Sequence, residues 1–338
     1  MRPFSFFLVF IIFSGLSYAQ GLAGKANEFL ESLGTGLRAE AMIGFDDAER
    51  YNFNFVPLER RGPTFKEFND EQKNKAIALL RASLSESGFR KATDMMELEK
   101  VLIVIENNSL KMPDGSPMRD PLNYHFLIFG TPAESSIWGW RFEGHHVSLS
   151  FTANQDEIVA STPSFMGSNP GVVPINPNRG KEVLRLETAL GFELVNSLSE
   201  KQLIQARISD KAPREILTGN KREISPLSPA GIGFSELTSP QKEQFMRLLE
   251  VYVSNYQLGF AKTLRRKIED AGHDNLSFAW AGSMERGAGH YYRIQGPMLL
   301  IEYANTQNDA NHVHTIVRDL TNDFAEDILR RHYETDHK

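Results

Sequence analysis

WGWRFEGHHVSLSF, from Trp138 to Phe151, and HYYRIQGPMLLIEY, from His290 to Tyr303, are the most patterned stretches of the chain. Each places bulky apolar residues at alternate positions on both sides of a glycine, as a β-hairpin with one buried face does. Laid over one another without a gap at an offset of 152, Trp140 meets Tyr292, Arg141 meets Arg293, Gly144 meets Gly296 and Phe151 meets Tyr303. Around them, 123–130, 137–143, 145–153 and 157–162 read as one antiparallel meander, and 276–282, 289–295, 297–305 and 311–318 as a second. If Glu143-Gly144 and Gln295-Gly296 are two-residue turns, Phe142 faces His145 and Arg141 faces His146. His145 then joins the apolar face of Trp138 and Trp140, and His146 joins Arg141, Ser148 and Ser150 on the polar one.

Helices are expected at 22–37, at 71–84 behind an Asn69 or Asp70 cap and ended by Gly88, at 182–198, from Thr238 or Ser239 through Tyr252, and at 322–333. The stretch 162–180, rich in proline and glycine, has no usable period and reads as a long loop or a boundary. Gln72-Lys73 and Leu79-Leu80 match Gln241-Lys242 and Leu248-Leu249 at an offset of 169, which implies 17 extra residues between 91 and 120 of the first copy. The expectation is an α+β fold of two similar halves, 20–200 and 201–338, each a helix, an antiparallel β-meander and a closing helix. One α+β domain with two unrelated hairpins is the plainer alternative.

Residues 1–19 carry a single basic residue, Arg2, an apolar run from Phe4 to Phe13, and small residues before Ala19, which predicts a secretory signal peptide cleaved there. No later run of about 18 apolar residues follows, so no membrane span is expected after cleavage. A periplasmic or secreted protein without cysteine has no disulfide, and any metal it carries must rest on His, Asp, Glu or other non-thiolate ligands. Lys+Arg 37 against Asp+Glu 43 gives a net charge of −6 with no basic stripe, which argues against a nucleic-acid partner.

His312 and His314, two apart on an expected strand, point the same way and can share one ion. Glu302 on the neighbouring strand and His146 from the first half complete a candidate metal site. Zinc, copper and iron all suit such donors. Arg141, Arg293 and Arg318 are the candidate groups for fixing an anionic substrate. The competing reading is that these histidines hydrogen-bond Glu302, Asp319 or the backbone and hold the sheet together.

WGWRFEGHH at 138–146, FAWAG at 278–282, HYYRIQGP at 290–297, LIEYANTQNDANHVHTIVRD at 300–319 and the closing DFAEDILRRHY resemble the secreted family catalogued as domain of unknown function 3500. The resemblance covers most of the chain after residue 19 and implies kinship of fold and a secretory signal, without an activity. It gathers around His145, His146, Glu302, His312, His314 and Arg318.

The chain has no Gly-x-Ser-x-Gly elbow, no phosphate-cradling glycine loop followed by Lys, and no His-Glu-x-x-His helix. The expected function is a metal-dependent enzyme, hydrolytic or redox, with a divalent transition metal between the halves and a small anionic substrate. The alternatives are a binding protein that captures a small anionic or aromatic ligand without chemistry, and a structural envelope protein.

Overall fold

The structure is a computed structural model and describes residues 21–154 and 156–327. The expected signal peptide lies outside these residues, as does the second half, 328–333, of the helix expected at 322–333. In chain order the elements are α1 (Leu22–Ser32), α2 (Thr35–Ala41), β1 (Met42–Ile43), α3 (Asp70–Ser83), α4 (Glu86–Ile105), β2 (His125–Phe129), β3 (Trp138–Gly144), β4 (Val147–Asn154), β5 (Glu157–Ala160) and β6 (Ser164–Ser168). They continue with α5 (Arg185–Ser197), α6 (Glu200–Ala206), β7 (Arg207–Ser209), β8 (Ile232–Gly233), α7 (Ser239–Val253), α8 (Leu258–Asp270), β9 (Ser277–Gly282), β10 (His290–Gln295), β11 (Leu299–Asn305) and β12 (Val313–Asp319). Among the described residues no helix is long and apolar enough to cross a membrane.

The fold is mixed α and β, built on one twelve-stranded sheet in the order β1-β2-β3-β4-β6-β12-β11-β10-β9-β7, with β5 on β4 and β8 on β9. The edge pairs β1–β2 and β7–β9 are parallel. The rest are antiparallel, including the central β6–β12 pair. One face carries Phe126, Trp140, Phe142, Trp280, Tyr292 and Ile301 and packs under helices that contribute Phe29, Leu79, Leu80, Phe245 and Leu248. On the other face Phe165, Tyr291, Ala304 and Ile316 pack against Phe53, Phe55 and Ile216, which come from irregular segments rather than helices. Those segments follow β1 and β7.

The first hairpin turns two residues later than the position of its glycine suggests. Gly144 pairs with Val147, Phe142 with Leu149 and Arg141 with Ser150, so the turn is His145-His146. In the later hairpin Gln295 pairs with Leu300 and the Gly296 N–H donates to Leu299 O at 2.9 Å, which centres that turn on Pro297-Met298. Gly144 serves packing: a Cβ there would stand 2.5 Å from Tyr124 Cδ1. The left-handed backbone is carried by His146, at φ +64°, a conformation that His adopts more readily than most side chains. It is pinned because the His146 N–H donates to Phe55 O at 3.0 Å and its carbonyl accepts from Gly167 N at 2.8 Å.

The helix at 70–83 has the expected Asn69 cap, in a reciprocal box with Gln72. Gly88, expected to end it, lies instead in the first turn of α4, whose cap Ser85 accepts from Gly88 N at 3.0 Å. That helix, α4, is 20 residues long.

His125, at the start of β2, donates from Nδ1 to Gly62 O at 2.8 Å, and burial pushes its pKa down from 6.5 to about 4. The unfolded chain therefore takes up this proton first as pH falls, and stability is lost from pH 6.5 down toward 4. Urea unfolding at pH 7, 6 and 5 should show the free energy of unfolding falling with acidity. In His125→Gln that slope should be shallower by up to about 1.4 kcal/mol per pH unit; an unchanged slope would refute the assignment.

Candidate metal centre

β4 and β12 flank β6, with Met166 paired to Val147 on one side and to Thr315 on the other. The tip of the β3–β4 hairpin and the start of β12 therefore meet beside Gly167, which pairs with His314. A Cβ on Gly167 would stand 3.0 Å from Val313 O and 3.2 Å from His314 Cδ2. The bare backbone leaves the space in which the imidazoles gather.

Three of them converge there. His312 Nε2 is 2.8 Å from His146 Nε2, His314 Nε2 is 3.2 Å from His146 Nε2, and the nitrogens of His312 and His314 are 3.0 Å apart. His146, His312 and His314 could together hold one metal ion through these nitrogens, where it would supply Lewis acidity. His146 and His314 are buried and His312 is half-buried.

The His314 tautomer favours such use. His314 Nδ1 donates to the Glu215 carboxylate, 2.6 Å from Oε1 and 2.7 Å from Oε2, which turns the Nε2 lone pair toward the centre. Burial, and then the neighbouring rings of His145, His314 and His312, hold His146 well below its ordinary pKa. Burial and His314 push His312 down to about 3. Both rings are therefore neutral near pH 7, the form in which imidazole ligates.

A second layer fixes the rings. His145 stacks on His146 with centroids 3.8 Å apart and donates from Nδ1 to Glu99 Oε1 at 2.5 Å. Arg119 lies 3.2 Å from both ring nitrogens of His145 and is held by two bonds to Glu106, of 2.8 and 2.9 Å. Phe55 and Phe165, stacked 3.8 Å apart, each present an edge contact to His314 and wall that side with apolar surface.

The structure thus brings together His146, His312 and His314, but not Glu302. On β11 the Glu302 carboxylate accepts from Leu217 N at 2.6 Å, Thr218 N at 3.0 Å, Thr218 Oγ1 at 2.5 Å and Tyr291 Oη at 2.8 Å. Its lone pairs are used, and its cross-strand partner on β12 is Ile316, two residues past His314. The carboxylate beside the cluster is Glu215, 99 residues before His314 in a segment without periodicity, where sequence reasoning had no signal to follow.

The three arginines are buried and tie irregular segments to the sheet. Arg141 donates to Glu49 O and Asn52 O, both at 2.7 Å, and pairs with Glu49 Oε1 at 2.5 Å and Glu143 Oε1 at 2.8 Å. Arg293 donates to Pro229 O and to Leu227 O. Arg318 donates to Asp323 Oδ2 at 2.5 Å and Arg222 O at 3.0 Å. None of these bonds reaches the imidazole cluster.

No curated protein and no solved structure matches the chain. The family model described as Protein of unknown function (DUF3500) matches residues 17–326, a span that contains the three histidines, Glu215 and the whole sheet. With most of its length matched, the chain belongs to the DUF3500 family.

Proposed function

We propose that the protein is a metal-dependent enzyme, working in the periplasm or outside the cell, with a divalent transition metal on His146, His312 and His314. The reading rests on one observation, the convergence of three Nε2 atoms within 3.2 Å of one another. Three neutral imidazoles leave such an ion its full charge, so it supplies Lewis acidity for polarising water or a substrate oxygen. An all-nitrogen set suits zinc first, with copper and iron as redox alternatives. Glu215 orients His314, the stacked His145 holds the His146 ring, and the Phe55–Phe165 pair keeps water from one side. Half-buried His312 marks the side from which a small substrate approaches.

We also read the chain as two similar halves meeting at β6 and β12, with His146 supplied by one and His312 and His314 by the other. Two observations support this. Arg141 pairs with Leu127 and Ser150, and Arg293 with Ala279 and Glu302, every partner shifted by the same 152 residues. Gln72 Nε2 donates to Ser32 O at 2.9 Å, and Gln241 Nε2 to Ser197 O at 2.8 Å.

The test is elemental analysis of residues 20–338 prepared without a histidine tag or chelator, followed by a screen of ester, amide and phosphoester probes. About one transition ion per chain is expected, with zinc-dependent turnover. Glu215→Gln should lower zinc affinity about tenfold to a hundredfold while leaving the fold intact. Failure to take up zinc, copper or iron would refute the metal reading; metal without hydrolysis, but with oxidation of a reductant, would move the chemistry to redox.

A further inference from the structure

On the helix-covered face of the sheet, a cavity of about 460 Å³ lies between residues 171–182, α5, the segment before β10 and the β11–β12 connection. Val173, Phe192 and Val313 give it apolar walls, and exposed Arg179 and Arg286 also line it. Arg286 is 3.6 Å from Glu182, a loose pair, and Arg179 has no carboxylate partner among the described residues. Asp309, also lining the cavity, is exposed to solvent.

His290, only 1% exposed, lines the same cavity. Its Nδ1 lies 2.8 Å from Ala288 O, and because a carbonyl can only accept, Nδ1 carries the proton. Burial lowers the pKa of the ring, which keeps it neutral, so Nε2 is a lone-pair acceptor. That Nε2 is buried and has no protein partner. The ring cannot swing away to find one. It is stacked between Trp280, at 5.6 Å and 8°, and Tyr303, at 5.5 Å and 22°, with Phe192 at 4.6 Å. A buried acceptor without a partner, on a residue that lines a cavity of ligand size, calls for a donor that the chain does not provide.

We infer that this cavity binds a small organic acid that carries a hydroxyl group and a carboxylate on a flat apolar body. The hydroxyl donates to His290 Nε2, the body lies against Phe192, Val173 and Val313, and the carboxylate meets the guanidinium groups of Arg179 and Arg286. The site is independent of the metal reading, although its wall includes Asn311, next to His312. The Asn311 side chain fastens the connection there, accepting from Val172 N at 2.6 Å and donating to Val172 O at 3.2 Å.

The test is calorimetric titration of the mature chain, metal-free and zinc-loaded, with 4-hydroxybenzoate as probe. Benzoate lacks the donor and 4-hydroxybenzamide lacks the charge. Saturable binding at one site per chain is expected, about tenfold or more tighter for 4-hydroxybenzoate than for either control. His290→Phe, which keeps an aromatic ring in the stack, should erase the preference over benzoate alone. Arg179→Ala with Arg286→Ala, both on the exposed rim, should erase the preference over the amide alone. The His312→Ala, His314→Ala chain should bind the probe as the parent does, which separates this site from the metal centre. No saturation up to about 10 mM in either form, or preferences that survive these substitutions, would overturn the inference.

Discussion

The chain with His312→Ala and His314→Ala should purify folded and with less than about a hundredth of the parent's zinc affinity. The argument concerns stability as much as binding. Without an ion, three ring nitrogens 2.8–3.2 Å apart crowd one point, where the His314 Nε2 carries a lone pair and at most a few weak hydrogen bonds offset the crowding. Removing two of the rings relieves that crowding at the cost of some packing on Phe55 and Phe165. With chelator present, the variant should therefore unfold within about 1 kcal/mol of the parent. With zinc at a thousand times its dissociation constant, the parent should gain about 4 kcal/mol and the variant nothing. Urea unfolding with and without zinc reads all four values. Equal loss of stability in zinc and in chelator would mean that the histidines hold the sheet together and serve no ion.

Arg141→Ala should have the opposite signature, destabilising the fold by about 3–5 kcal/mol while leaving the zinc stoichiometry of the folded fraction unchanged. Arg141 faces Glu143, whose carboxyl is buried and already raised in pKa by desolvation, with Arg141 and Arg60 holding it down. Deleting one guanidinium leaves that carboxylate underpaired and frees the carbonyls of Glu49 and Asn52, which Arg141 fastens to the sheet. The segment so loosened leads into Phe53 and Phe55, the cover on that face. Urea denaturation and elemental analysis on the same preparation give both readouts. A stable variant with weakened substrate binding would instead restore Arg141 to the substrate-fixing role expected from its sequence position.

The strands were legible where alternation is strong. Trp138, Trp140 and Phe151 share the buried face the pattern assigns them, and the His312-x-His314 spacing does present two rings to one point. The turn was misplaced because glycine normally marks a turn, whereas Gly144 is required for the close approach of Tyr124, and a histidine takes the unusual backbone instead. The central strand β6 was hidden because Pro163 and Pro170 bracket it and Gly167 lies within it, all residues that speak against a strand. Glu302 was rightly placed on the face of Arg293, but with the turn set two residues early its position directly opposite Arg293 was missed, and its partners on the covering segment could not be foreseen. Glu215, Glu99 and Arg119 come from segments whose periodicity says nothing about where their side chains end.

His146 and His312 lie 166 residues apart in the chain yet meet across a single intervening strand. An ion gripping both would act as a reversible cross-link in a protein that has no cysteine. Because loop-closure entropy grows only logarithmically, a tie of this span restrains the unfolded chain by roughly the 4–5 kcal/mol of a long-loop disulfide. Outside the cytoplasm, such a clasp would harden the chain against proteases for as long as metal is available, and a competing chelator would open it.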